Sequence, residues 1–257
     1  MPIITIYQGA SGSGDALAQQ VADDLGYRCV GREVLREASQ RFDIPEAKLN
    51  KILEREPNWW ERWLENLRPY RIALQAAMCS VAQEGNIVYH GHMGHELFPG
   101  IRHVLKVMLT APLEYRIDQV RSRQQISEEA ARKFVEEVDK ARRGRIKALF
   151  ETDLHDPSRY DLVLNMQRIG LETARGMIVQ VARLDEFQPT AASEQDFQNL
   201  TLAATVQSTL VMKPEFRNLG IDVIANKGAV KLTGVLFQWA AEEEIVNIVK
   251  GIPGVVS

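Results

Sequence analysis

A glycine-rich stretch near the start of the sequence contains the residues best suited to chemistry. Gly9, Gly12 and Gly14 lie between an apolar, β-like run, IITIY, and a helix-like run. A helix amino terminus offers unpaired N–H groups and partial positive charge, and glycines let a phosphate approach the backbone closely. The pattern is therefore typical of a phosphate-binding loop, in which Ser11 and Ser13 could add hydrogen-bond donors.

The two residues that follow this loop differ from the usual phosphate-binding sequence. In the Walker A form G-x-x-x-x-G-K-[ST], the lysine reaches the β- and γ-phosphates and the hydroxyl holds Mg²⁺. Here these positions are Asp15 and Ala16, and no lysine precedes Lys48. The Asp15 carboxylate favours the positive end of the helix, so it competes with a phosphate. Two interpretations stay open: a modified phosphate site, or a glycine turn between strand and helix.

Composition and charge indicate an ordinary globular protein. Of the 257 residues, 45% are hydrophobic and 25% are charged, and the formal net charge is −3. This charge gives no general attraction to nucleic acid, so we expect no nucleic-acid partner. The opening residues do not read as a signal peptide, and no apolar run is long enough to span a membrane. Cys29 and Cys79 lack metal-binding spacing, and together these features predict a cytoplasmic protein.

Short β-like runs alternate with helical patterns over residues 1–184. This alternation predicts an α/β fold with a mostly parallel sheet that is covered by helices on both faces. Ligands bind at the carboxyl ends of the strands in such folds, which is where the glycine loop lies. The β-like runs are IITIY, YRCVG, NIVYHG, HVLKVMLTA and DLVLN.

A polar stretch at residues 185–199 interrupts this pattern and is predicted to be a linker. The pattern then restarts with a helix, a hairpin that turns at Lys227 and Gly228, a second helix and a short final strand. We therefore expect residues 200–257 to form a small α+β module.

Taken together, these stretches resemble the cytidylate-kinase-like family of P-loop nucleoside monophosphate kinases. The resemblance covers residues 1–182 and is carried by ITIYQGASGSG, LAQQVADDLGYRCVGREVL, NIVYHG, HVLKVMLTAPLEYRI and DPSRYDLVLN. It implies a P-loop kinase-like sheet and transfer of phosphate from ATP, with Mg²⁺, to a nucleoside monophosphate such as CMP. The end of the chain, VKLTGVLFQWAAEEEIVNIVKGIPGVV, resembles a BON domain and implies a lipid or protein partner.

The kinase resemblance also assigns roles to individual residues. Arg32 matches a basic residue near the monophosphate site, and His92 stands where the family usually has an arginine of that site. Asp139 and Arg142 match the catalytic lid segment, whose arginines hold phosphates in two places at once. The phosphate loop corresponds to Gly9, Gly12, Ser13, Gly14 and Asp15.

Three departures from the family pattern concern groups that handle phosphate or Mg²⁺: Asp15, Ala16 and His92. An active enzyme would need cations from elsewhere, and the basic segment from Arg116 to Lys147 is the best source. Acidic residues are interleaved in this segment, so a solvated helix face is the alternative interpretation.

Two further clusters have more than one interpretation. His90, His92, His95 and His103 either line the nucleotide cleft or bind a transition metal, and we favour the cleft and expect no metal site. If histidines line the cleft, their protonation would make phosphate binding depend on pH. The second cluster consists of Trp59, Trp60 and Trp63. It either covers the core or forms a patch for a partner or a second subunit.

Three functions are compatible with these residues. The first is a nucleoside monophosphate kinase. The second is a kinase-like nucleotide sensor that has lost catalysis. The third is an interaction protein in which the BON-like module binds a lipid surface or another protein, with a homo-oligomer as an open alternative.

Overall fold

The computed structural model describes residues 2–9, 14–49, 67–234 and 239–257. Gly12 and Ser13 of the predicted phosphate loop therefore lie outside the described residues. The same is true of the tryptophan cluster Trp59, Trp60 and Trp63.

Five parallel strands form the central sheet. They are β1 (Ile3–Gln8), β2 (Arg28–Val30), β3 (Ile87–His90), β4 (Val104–Thr110) and β5 (Leu162–Asn165). Their order is β2-β3-β1-β4-β5, so β1 lies in the middle, between β3 and β4. Every residue of β1 is buried, as expected for a strand covered on both faces. The predicted α/β fold is confirmed.

Helices pack on both faces of this sheet. Ile4 and Ile6 of β1 form a core with Leu17 and Ile178 on one face, while Tyr7 packs with residues of the other face. This arrangement follows from the alternation of side chains along a strand. The helices are α1 (Gly14–Leu25), α2 (Glu33–Phe42), α3 (Arg68–Gln83), α4 (Gly94–Leu97), α5 (Leu113–Gln124), α6 (Glu128–Phe150) and α7 (Leu171–Ala182), with helical residues also at 46–49 and 3₁₀ turns at Pro157–Arg159 and Asp185–Phe187.

A long helix, α8 (Ala191–Val211), begins inside the segment that the sequence predicts to be a linker. Thr190 and Ser193 form a capping box at its start. The N–H of Thr190 donates to the hydroxyl of Ser193 at 2.9 Å, and the N–H of Ser193 donates to the hydroxyl of Thr190 at 3.2 Å. The interpretation of residues 185–199 as a linker is therefore corrected, because residues 191–199 are the first part of a continuous helix.

The carboxyl-terminal module is built on an antiparallel hairpin of β6 (Asp222–Asn226) and β7 (Ala229–Thr233), followed by α9 (Trp239–Lys250). The hairpin turns at Lys227 and Gly228, which both have positive φ, as a tight two-residue turn requires. The last residues run beside β7, where the N–H of Val230 donates to the carbonyl of Ser257 at 2.8 Å. The predicted α+β module is confirmed, but the prediction of a final strand is wrong, because residues 254–257 run beside the hairpin without forming one.

Helix α8 contributes to two hydrophobic cores. Phe197, in its first half, lies 6.2 Å from the ring of Phe98 and 6.0 Å from the ring of His103. Val206 and Leu210, in its second half, belong to the core of the carboxyl-terminal module. One rigid element therefore connects the sheet domain to the module.

A second contact fastens the module to the sheet domain. Arg68, at the start of α3, donates hydrogen bonds to the backbone carbonyls of Leu219, at 3.0 Å, and Ile221. The same guanidinium pairs with Asp222 at 3.3 Å. These bonds fix the chain immediately before β6 to the sheet domain.

We predict that Phe197→Ala lowers the free energy of unfolding by roughly 2 kcal/mol, because it removes a partly buried aromatic side chain that packs α8 against Phe98 and His103 of the sheet domain. Chemical denaturation would measure this change. Gln198→Ala, an exposed neighbour on the same helix, is the matched control and should change stability little. Equal stability of the two variants would contradict the packing role of Phe197.

Candidate functional site

A cleft of about 830 Å³ opens beside the carboxyl ends of β2 and β3. The start of α1, the start of α2 and one face of α6 surround it. Parallel α/β sheets bind their ligands at this edge. The acidic, basic and histidine side chains that line the cleft are Asp15, Arg32, Glu33, His90, His92, Arg142 and Arg145.

Gly9 follows β1 and lies next to an ion pair between α5 and α6. A Cβ atom at Gly9 would lie 3.3 Å from the Arg116 guanidinium and 3.9 Å from the Asp139 carboxylate. Arg116 donates to both oxygens of Asp139, at 2.8 Å and 2.7 Å, and to the carbonyl of Ala111 at 3.2 Å. Asp139, predicted to be catalytic, therefore holds Arg116 against Gly9.

Arg142 lies at the carboxyl end of β1. Its guanidinium donates to the carbonyl of Gln8 at 2.8 Å and lies beside the hydroxyl of Tyr7. Burial lowers the pKa of Arg142 from a very high reference value and raises the pKa of Tyr7 to about 12. At neutral pH the arginine is charged and the tyrosine is neutral, so Arg142 is a fixed cation near the predicted phosphate loop.

Asp15 forms an ion-paired hydrogen bond with His90, which ends β3. The carboxylate can only accept, so Nδ1 of His90 carries the shared hydrogen. Burial lowers the pKa of His90, although the Asp15 charge acts in the opposite direction. The histidine is therefore neutral at neutral pH, and the position of the usual lysine is occupied by a carboxylate–histidine pair.

Gly14, the first residue of α1, has no room for a side chain. A Cβ atom there would lie 2.6 Å from Nε2 of His90 and still closer to the side-chain oxygen of Gln8. The glycine therefore allows β1, β3 and α1 to meet closely. This close approach directs the His90 ring to the wall of the cleft.

His92 and Arg145 complete the inner wall. Arg145 is only 2% exposed, although it is charged. Burial lowers the pKa of His92 well below its usual value, and the nearby charges of Arg142 and Arg145 add to this effect. His92 is therefore neutral at neutral pH, between two arginines.

Arg32 precedes α2 and lines the cleft from the side opposite to α6. The neighbouring Glu33 accepts a hydrogen bond from the N–H of Gly31 at 2.6 Å, and this contact helps to lower its pKa although partial burial acts in the opposite direction. The structure thus brings Arg32, Arg142 and Arg145 to one cleft from two helices.

The histidine cluster of the sequence separates into two groups. His90 and His92 line the cleft, whereas His95 is buried against the ring of Tyr160, with centroids 4.8 Å apart. Burial lowers the pKa of His95 to about 4. His103 contacts the hydroxyl of Ser193 at 2.9 Å, at the start of α8.

The residues present do not fit a protein-held Mg²⁺ ion. Ala16 has no ligand atom at the position of the usual hydroxyl, and the Asp15 carboxylate is engaged by His90. Within the described ranges, no group of three or more His, Cys, Asp or Glu side chains is placed to hold a metal ion.

Two cationic residues of the site were not singled out by the sequence analysis. Arg116 and Arg145 were only members of a basic segment with many alternatives. The spacing of Asp139, Arg142 and Arg145 is a usable signal, because residues three apart share one face of a helix. The contact between Asp15 and His90 has no such signal, since the two residues belong to different elements.

The strand order, the glycine loop after the central strand and the cationic cleft define a P-loop kinase-like protein. A family model described as "Cytidylate kinase-like family" matches residues 3–168, and the chain belongs to this family. The BON domain model matches residues 198–257.

Named relatives agree with this assignment. The cytidylate kinase of Methanopyrus kandleri is 28% identical over 176 residues, which are 65% of this chain and 85% of the relative. The cytidylate kinase of Ignicoccus hospitalis is 28% identical over 182 residues, 68% of this chain and 99% of the relative. A solved structure of an uncharacterized protein from Eubacterium ventriosum has the same fold, with a TM-score of 0.55, 17% identity and coverage of 70% of this chain and 97% of that one.

Among the helices that the structure describes, none is long and apolar enough to cross a membrane.

We predict that Asp139→Asn destabilises the protein by about 1–3 kcal/mol, because Arg116 is largely buried and would lose a charged partner. Thermal and chemical unfolding would measure the loss. The control is Glu136→Gln, an exposed carboxylate on the same helix. If both variants unfolded like the parent, Asp139 would not have the positioning role described here.

Proposed function

We propose that this protein is a nucleotide kinase that binds ATP at the glycine loop and a CMP-like monophosphate in the cleft. The observation that carries the proposal is the convergence of Arg32, Arg142 and Arg145 on one cleft at the carboxyl ends of parallel strands. Three guanidinium groups around one space suit a ligand with several phosphate oxygens. Membership of the cytidylate kinase-like family supports the same assignment.

Arginines of α5 and α6 would supply the positive charge that the missing lysine provides elsewhere. Phosphoryl transfer depends mainly on positioning and on cations around the transferred group. Arg116 lies against Gly9, and Arg142 is anchored on Gln8. In this proposal, both hold the ATP phosphates, while Arg32 and His92 face the monophosphate.

We predict that ATP, ADP and CMP each raise the unfolding temperature, because a ligand that binds only the folded state stabilises it by about 2.7 kcal/mol at about 100 times its Kd.

Arg32→Ala should weaken CMP binding about tenfold or more, since it removes one charge-assisted contact. Arg36→Ala, one turn further along α2 and outside the cleft lining, is the matched control. Failure of all three nucleotides to stabilise the parent would overturn the proposed function.

A second candidate function is a nucleotide sensor without phosphoryl transfer. The Asp15–His90 pair favours it, because a carboxylate and a neutral histidine occupy the region of the usual lysine. In this alternative the cleft binds nucleotides, and α8 connects the bound state to the carboxyl-terminal module. We propose residues 200–257 as the second unit, with a lipid or protein partner, on the BON match to residues 198–257.

The double variant Asp15→Lys/Ala16→Thr distinguishes the two candidates. If the parent is a sensor, it should show no ATP-dependent phosphorylation of CMP, and the double variant should acquire measurable turnover. Asp15→Asn is the control, since it removes the negative charge without adding a cation or a hydroxyl. Robust phosphorylation of CMP by the parent would exclude the sensor and establish the kinase.

A further inference from the structure

The Asp15–His90 pair can report the arrival of a phosphate. Asp15 accepts the Nδ1 hydrogen of His90, so the neutral ring has its lone pair on Nε2. A phosphate dianion offers only acceptors. Nε2 lies beside Gly14, the first residue of α1. A favourable contact between Nε2 and a phosphate oxygen at this helix end therefore requires a second proton on the ring.

The surroundings of His90 favour the neutral, singly protonated ring when no anion is bound. Burial and the charge of Arg142 on α6 lower the pKa of His90, and Asp15 on α1 only partly offsets them. The other titratable groups on this side of the cleft are His92, in the loop after β3, Cys29 of β2 and Tyr89 of β3. His92 is neutral as well, and burial raises the pKa of both Cys29 and Tyr89, so these two are also neutral. Gln8 of β1, which contacts the same glycine, does not titrate.

A bound phosphate would reverse this balance. A doubly negative ligand beside Arg142 cancels much of the positive field that this arginine exerts on His90. The ligand also gives the protonated ring a charged acceptor, and charge-assisted hydrogen bonds are stronger than neutral ones. Asp15 would stabilise the resulting imidazolium from the other nitrogen.

We propose that binding of a nucleotide's phosphates at the start of α1, beside this cleft, adds one proton to His90, so that the Asp15–His90 pair acts as a proton-linked substitute for the missing lysine. This inference rests on the proposed nucleotide-binding function. It gives Asp15 a role as the carboxylate that orients the histidine and supports its positive charge. The competition between Asp15 and phosphate for one helix end is reduced, because a cation then lies between them.

The sign of the pH dependence follows from linkage. The ligand-bound form of His90 holds its proton up to a higher pH than the free form, so phosphate affinity rises as pH falls between the two pKa values. The limit for one proton is about tenfold in Kd per pH unit. Affinity should be independent of pH above and below this interval, apart from the titration of the ligand itself.

The test is isothermal titration of Mg²⁺-free ADP into the full-length protein at several pH values, in two buffers that differ in ionisation enthalpy. The parent should take up about one proton more than His90→Asn at the pH of maximal linkage. Asparagine can still donate a hydrogen bond to Asp15 but cannot titrate. Because both proteins bind the same ligand, protons taken up or released by ADP itself cancel when the two proton uptakes are subtracted. His155→Asn, outside the cleft lining, is the matched histidine control and should retain the linkage. His92→Asn tests whether the other cleft histidine takes up the proton instead.

A second measurement does not depend on any variant's stability. In the parent labelled with ¹⁵N-histidine, ADP should shift one cleft histidine from one protonated ring nitrogen to two. Equal proton uptake by the parent and His90→Asn, or loss of uptake only in His92→Asn, would overturn the inference. ADP binding with no proton uptake would overturn this inference alone, whereas absence of ADP binding at every pH would overturn the proposed function as well.

Discussion

The carboxyl end of β1 is the constraint on which the site depends. This strand is buried in the middle of a parallel sheet, so its last polar groups need partners inside the protein. Arg142 supplies one for the carbonyl of Gln8, and the next residue lies against Arg116. The requirement to satisfy this buried carbonyl thus brings Arg142 to the end of β1, while Asp139 holds Arg116 beside Gly9.

Charge at this site is distributed differently from that of a Walker A loop. There, one lysine lies within the loop itself, on a flexible side chain. Here the cations come from α5 and α6, held by Asp139 and by backbone carbonyls, and the loop contributes a carboxylate paired with His90. Guanidinium groups held in place cannot follow a moving phosphate, but they lose little freedom when they bind one.

The fold could be predicted because its signals are local. Apolar runs such as IITIY and DLVLN appear as strands, and Lys227 and Gly228 form the turn. The linker prediction failed because the first half of α8 has a mixed polar surface, and its start is marked only by the cap of Thr190 and Ser193. A segment without an amphipathic pattern can still form a helix when a capping residue starts it and a neighbouring core packs against it.

The candidate site was predictable only in part, for a different reason. Arg32, His92 and Arg142, which were assigned by resemblance to family positions, all line the cleft. The pairing of Asp15 with His90 depends on the strand order, which places β3 next to β1, and no single-sequence pattern specifies that order. Contacts between elements that are distant in sequence could not be predicted from the residues alone.

The shared helix α8 has a consequence for how such a protein can change over time. Its first half covers Phe98 and His103, so the kinase-like domain has come to rely on a segment that leads into the module. A gene that lost the module by a break before residue 191 would leave apolar surface uncovered. The kinase-like domain therefore depends for part of its core on a helix that continues into the module.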